Sequence, residues 1–163
     1  MVIKIFTTGG TIDKVYFDAE RSFEVGKPLI GAILREASVQ AAYEVETLLR
    51  KDSQDLTDAD RRLILDRVSS DASTRVLITH GTDTMVDTAL CLRSIAGKTI
   101  VLVGSLSPAL FKDSDAAFNI GFAMSAVQLL PPGVYITMHG RVLDPTRVRK
   151  NRERNVFEAI EGP

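Results

Sequence analysis

The amino-acid sequence predicts an α/β fold: a three-layer sandwich with a mainly parallel sheet and helices on both faces. Three observations predict it. Short β-branched runs alternate with amphipathic helical stretches along the chain, the order that builds parallel sheets. The run Ile100-Val101-Leu102-Val103 is apolar at every position, as a strand covered on both faces requires. Finally, 163 residues with 45% apolar and 25% charged side chains is the size and balance of one globular domain, taken as residues 1–163.

Each element has its own warrant. Residues 2–7 are β-branched and apolar and stop at Gly9-Gly10, which makes them the first strand. Residues 11–27 mix charge and glycine with Phe17 and Phe23 and are expected to be irregular. Pro28 opens a short helix in which Leu29, Ile30, Ile33 and Leu34 recur at helical spacing. Residues 43–49 form the second strand. In the helix over 58–68, Leu63, Ile64 and Val68 share a side, and Asp55 or Thr57 supplies the N-cap. Residues 75–79 give the third strand, 84–95 a helix carrying Val86, Leu90 and Ile95, and 98–103 the fourth strand. A long helix over 113–130 stops at Pro131-Pro132, before a fifth strand over 134–138. Residues 142–163 read as a polar tail, rich in Arg and Lys up to Arg154.

Composition excludes several function classes. Lys plus Arg number 20 against 21 Asp plus Glu, a net charge of −1, so the chain lacks the basic excess of a general nucleic-acid binder. The single cysteine, Cys91, rules out an intramolecular disulfide and a cysteine metal cage, and its helix face predicts core packing. No apolar run is long enough for a membrane span. The N-terminal apolar block is too short for a signal peptide, so a cytoplasmic protein is expected. Neither a dinucleotide fingerprint nor a P-loop is present. His80 and His139 are the only histidines and lack metal-ligand spacing, so no metal or cofactor is expected. His80 lies at a strand end and can be drawn as a catalytic base, but no nucleophile elbow accompanies it.

In an open parallel sheet, ligands bind beyond the carboxyl ends of the strands. Those ends are chemically crowded here. They carry Thr7-Thr8-Gly9-Gly10-Thr11-Ile12-Asp13, Lys51-Asp52-Ser53-Gln54-Asp55, Thr79-His80-Gly81-Thr82-Asp83-Thr84 and Gly104-Ser105-Leu106-Ser107-Pro108. Taken singly, Gly9-Gly10 also fits a plain turn, and Thr82 or Asp83 a helix N-cap. The recurrence of hydroxyls, carboxylates and glycines at one sheet edge sets the group apart.

With Thr8-Gly9-Gly10-Thr11-Ile12-Asp13 and Ile78-Thr79-His80-Gly81-Thr82-Asp83-Thr84-Met85 in that order, the chain resembles the bacterial-type L-asparaginase family. Ser53-Gln54-Asp55 is similar to the family's substrate-holding segment. Val103 to Pro108, followed by Asp113-Ser114-Asp115 and Phe118-Asn119, is similar to the family's stretch after the central strand. Val142-Leu143-Asp144 leading to Lys150 resembles the stretch that carries the family's catalytic lysine. The resemblance runs over essentially all of the chain. It implies the flavodoxin- or Rossmann-like N-terminal domain of that family.

The resemblance also implies roles. Thr11 matches the primary nucleophile. Thr82, Asp83 and Lys150 match a second triad, in which lysine and aspartate polarise a threonine hydroxyl. Ser53, Gln54 and Asp83 match the residues that grip the amino-acid end of the substrate, with backbone N–H groups near Gly81 or Thr82 available to an oxyanion. The chemistry is coherent. A carboxylate pairs with the substrate ammonium, and a threonine hydroxyl attacks only when a base activates it. The implied activity is amidohydrolysis of L-asparagine to L-aspartate and ammonia, without cofactor or metal, by a homo-oligomer. A glutaminase or tRNA-amidotransferase-type amidase and a non-catalytic Asn/Asp-binding domain are the alternatives. Two departures stand out. Phe23 occupies the place of a common tyrosine in the mobile loop, with Tyr16 nearby as another source of a hydroxyl. The family's usual C-terminal domain has no counterpart in this sequence, so this domain or another copy of it is expected to close the site. The segment 11–27 is expected to act as a lid.

Overall fold

The computed structural model describes residues 1–17 and 22–160. The strands are β1 (Ile3–Gly9), β2 (Lys14–Phe17), β3 (Ser22–Val25), β4 (Tyr43–Lys51), β5 (Arg75–Thr79), β6 (Thr99–Val103), β7 (Gly133–Met138), β8 (Arg141–Leu143), β9 (Val148–Asn151) and β10 (Val156–Ala159). The helices are α1 (Ile30–Glu36), α2 (Asp58–Ser70), α3 (Met85–Leu92) and α4 (Ala116–Leu129). The central sheet has the order β4-β1-β5-β6-β7-β8, parallel except for the last, antiparallel strand.

Strand alternation divides the core in two. Phe6, Val76, Ile78, Ile100, Leu102 and Ile136 face α2 and α3, meeting Ile64, Val68, Met85, Ala89 and Leu92. Ile3, Ile5, Leu77, Val101 and Val103 face α1 and α4, meeting Ile30, Leu34, Ile120 and Val127. This is the predicted three-layer α/β sandwich. Counting only the parallel strands, the order is 2-1-3-4-5, the flavodoxin-like arrangement, whose ligand crevice opens between the first and third strands. Here that switch point lies between β1 and β5. Helix α2 starts at a capping box: Thr57 accepts from the Asp60 backbone N–H, and the Asp60 carboxylate accepts from that of Thr57.

Three expectations are corrected. The segment 11–27 contains regular structure: a one-turn 3-10 helix at Thr11–Asp13, then the antiparallel pair β2–β3 with Tyr16 opposite Phe23. Positions 18–21 of that segment lie outside the described residues. The supposed polar tail holds β8 and a second hairpin, β9–β10, whose Val148 and Phe157 enter the core. Cys91 is exposed rather than packed inside. Among the described residues, no helix is long and apolar enough to cross a membrane.

Candidate active site at the sheet switch point

Glycines let the strand ends converge. Gly10 has φ 90, and a Cβ there would overlap the backbone of Gly81. A Cβ on Gly81 would lie 2.6 Å from Ser53 Cβ and Oγ. The loops bearing Thr11 and Thr82 therefore meet backbone to backbone and the Ser53 side chain packs onto Gly81, approaches that no larger side chain at either glycine permits.

On the β5 side of this junction, Thr82 is buried and Lys150 Nζ donates to its Oγ1 at 3.1 Å. Lys150 arrives from β9. It also donates to Asn155 Oδ1 at 2.7 Å, and its Nζ sits 5.2 Å from the centre of the Phe157 ring. Burial holds the Lys150 amine below its ordinary pKa, and the charges of Asp83 and Asp115 oppose that shift. Next in sequence, Asp83 Oδ2 accepts from Gln54 Nε2 at 2.5 Å. Ser53 is buried, and its carbonyl accepts from Thr84 Oγ1 at 2.7 Å. Thr84, not Thr82 or Asp83, stands at the N-cap position of α3. That leaves the side chains of Thr82 and Asp83 to their partners Lys150 and Gln54.

Thr11 opens its 3-10 turn half-buried, between the Gly10 contact and the buried Ile12 and Asp13. Asp13 ties the turn to its surroundings. Its carbonyl accepts from the Gly26 N–H at 2.8 Å and its Oδ1 from the Leu29 N–H at 2.9 Å. Its Oδ2 is buried without a hydrogen-bond partner. Burial pushes the Asp13 carboxyl up to about 6. Beside it, Lys14 pairs with Asp52 at 2.6 Å, and Asp52 accepts from the Gln54 N–H. The structure thus joins Thr82 to Lys150 and Gln54 to Asp83. Among the described residues, no hydrogen bond links Thr11 or the Ser53 hydroxyl to either pair.

His80 serves the frame. It is fully buried, with Nδ1 2.7 Å from the Gly81 carbonyl and Nε2 2.8 Å from Thr88 Oγ1. A carbonyl only accepts, so Nδ1 carries the proton and Nε2 accepts from the Thr88 hydroxyl. Burial lowers its pKa to about 4, which keeps it neutral. His139 lies apart, half-exposed, against Asp115 at 2.9 Å. Asn155 lies outside every segment that stood out in the sequence, and Thr84 and Asp115 stood out only as members of their motifs; each orients a neighbour from a turn or helix end.

The family model described as "Asparaginase, N-terminal" matches residues 2–163. The chain belongs to the asparaginase N-terminal family. It is 31% identical over 99% of its length to L-asparaginase 2 of Escherichia coli, and 30% identical over 100% to the L-asparaginase of Thermococcus kodakarensis. It is 32% identical over 97% of its length to a glutamyl-tRNA(Gln) amidotransferase component of Saccharolobus islandicus. Among solved structures, the Thermococcus kodakarensis asparaginase superposes with TM-score 0.84 over 100% of the chain at 28% identity. L-asparaginase I of Vibrio cholerae gives the same score over 99% at 26% identity. The chain spans about half the length of the asparaginases it matches, between 50% and 52% of each.

Proposed function

We propose that the protein is an amidohydrolase that releases ammonia from L-asparagine and leaves L-aspartate, with residues 1–163 forming its catalytic domain. The observation that carries this reading is the 3.1 Å contact between the Lys150 amine and the buried Thr82 hydroxyl, at the switch point shared by Thr11, Ser53 and Gln54. A half-buried lysine with a lowered pKa accepts a hydroxyl proton more readily than a solvated one. In the proposed reaction a threonine Oγ bonds to the carboxamide carbon as its proton passes toward Lys150. The C–N bond then breaks, ammonia leaves with a proton, and water cleaves the resulting ester to restore the threonine. Asp83, steadied by Gln54, pairs with the substrate ammonium. Ser53 and backbone N–H groups near Gly81 and Thr82 take the carboxylate and the developing oxyanion.

Ammonia release by wild type, Thr11→Ala and Thr82→Ala tests the assignment. Loss in one variant identifies the attacking hydroxyl. Undiminished release in both removes the site, and an inert, folded wild type removes the activity. The match to an amidotransferase favours a second reading, in which the ammonia serves a partner reaction. Assaying asparagine and glutamine side by side, with and without misacylated tRNA, separates the two. We also propose a homo-oligomer. Helix α4 carries no charged residue, and Phe118 and Leu129 on it are 63% and 82% exposed, a surface suited to a second copy. A monomer by light scattering contradicts this.

A further inference from the structure

The β9–β10 hairpin carries Lys150 to the sheet edge and then returns a carboxamide onto the same amine. Asn155, the last residue before β10, has φ 51. Asn enters this left-handed region more readily than most side-chain-bearing residues, and the conformation completes the chain reversal into β10. From there its Oδ1 accepts from Lys150 Nζ at 2.7 Å, while Thr82 Oγ1 lies 3.1 Å from the same nitrogen. Phe157 is the direct cross-strand neighbour of Lys150, and its ring flanks the amine at 5.2 Å. One turn and one strand pair thus set where the amine sits.

A carboxamide oxygen accepts hydrogen bonds and never donates them. It occupies one N–H of Lys150 in either protonation state. The lone pair of the neutral amine is left to face a neighbour that can donate, the Thr82 hydroxyl. Asn155 carries no charge, so it holds the amine without the coulombic preference for ammonium that a carboxylate would add. The charged groups facing Lys150 are Asp83, from the loop after β5, and Asp115, at the N-terminus of α4. We infer that Asn155 is a positioning residue, which fixes the Lys150 amine against the Thr82 hydroxyl while adding no charge beside it. This inference rests on the proposed role of Lys150 as proton acceptor.

Two variants test it. Asn155→Gly keeps a residue suited to positive φ and deletes the acceptor. Asn155→Asp keeps the acceptor and adds a charge. Ammonia release gives kcat and KM. Acetylation of Lys150 by acetic anhydride across pH, quantified by mass spectrometry, reports the amine without reference to turnover. The expected result for Asn155→Gly is a kcat about tenfold lower or less, KM within about twofold, and faster Lys150 acetylation. Asn155→Asp is expected to recover most of kcat at alkaline pH, with the acetylation midpoint and the rising limb of activity displaced upward by about one pH unit. Wild-type kcat and acetylation in Asn155→Gly overturn the inference. If that variant does not fold, an unmoved midpoint in Asn155→Asp overturns it. If acetylation shifts as expected but even wild type releases no ammonia, the asparaginase reading falls and the hold of Asn155 on Lys150 stands.

Discussion

Two antiparallel hairpins flank the C-terminal edge of the sheet, and they are held by opposite means. The β9–β10 hairpin is anchored from within: Val148 and Phe157 are buried in the same cluster as the sheet residues Ile100, Leu102 and Ile136. The β2–β3 hairpin is held from outside. Tyr16, Phe23 and Phe111 form an edge-to-face ladder with ring centres 5.3 and 5.8 Å apart, and all three are about half-exposed. Its base is fastened by Asp13 and by the Lys14–Asp52 pair. A hairpin rooted in the core keeps one geometry, whereas one held by peripheral contacts opens at low cost. Lys150, whose proposed role needs a fixed distance to Thr82, rides on the first. The segment after Thr11, proposed to admit and cover substrate, is the second.

The largest expected effects fall on the anchored hairpin. Lys150→Met should lower ammonia release about a thousandfold, the range of general base catalysis, and leave the melting temperature almost unchanged. Phe157→Ala should cost about 3–4 kcal/mol of stability in urea titrations, as a buried aromatic lost from a packed cluster does. Phe23→Ala, on the outer hairpin, should cost about 1 kcal/mol, the worth of its ring contacts. Equal costs for the two phenylalanines would erase the distinction between the hairpins.

The same contrast explains what was legible in the sequence. Strands covered on both faces announce themselves as apolar runs, so β5, β6 and β7 were readable, as was the stop of α4 before Pro131. The hairpins were not. Each strand of β2–β3 and β9–β10 has four residues, too few for alternation to stand out. In β9 the inward Val148 is followed by Arg149 and Lys150, so the strand reads as part of a basic stretch. At the candidate site, Thr11, Ser53, Gln54, Gly81, Thr82, Asp83 and Lys150 were singled out through resemblance, and the structure joins four of them in two hydrogen-bonded pairs. Asn155 was not, because its contact exists only once β9 and β10 have paired. Nor was the burial of Asp13, which depends on Gly26 and Leu29 folding back over it.

Asp13 gives an effect between those of the two phenylalanines. Its folded pKa, about 6, lies above the ordinary 3.8, with burial as the chief cause; its hydrogen bond from Leu29 and the charge of Arg50 act the other way. Such a carboxyl favours the folded state while protonated, so its contribution is full below about pH 4 and is lost as pH rises through about 6. His80 acts oppositely in the same window. Its folded pKa of about 4 lies below 6.5, so its contribution is full above that value and lost as pH falls. The two slopes offset each other in wild type. Asp13→Asn removes one of them. Relative to wild type it should gain about 2 kcal/mol between pH 4 and pH 7, read from denaturant midpoints at both. A difference that stays flat with pH would show that Asp13 is not strained at the base of the hairpin.

The smallest effect concerns the outer fastening itself. Lys14 and Asp52 are about a quarter to a third exposed, so their 2.6 Å pair contributes only about 0.5 kcal/mol to global stability. Its local consequence is larger, because it joins β2 to the turn that carries Ser53 and Gln54. Lys14→Met should leave the melting temperature within about 2 °C of wild type, since so small a change moves a domain of this size very little. Backbone amides of β2 and β3 should nevertheless exchange hydrogen faster, and those of β9 and β10 at the wild-type rate. Under the proposed reading, KM for asparagine rises while kcat holds, because the loosened contact positions substrate and not the base. Equal acceleration of exchange in both hairpins would mean that they open together, and that core anchoring does not set β9–β10 apart.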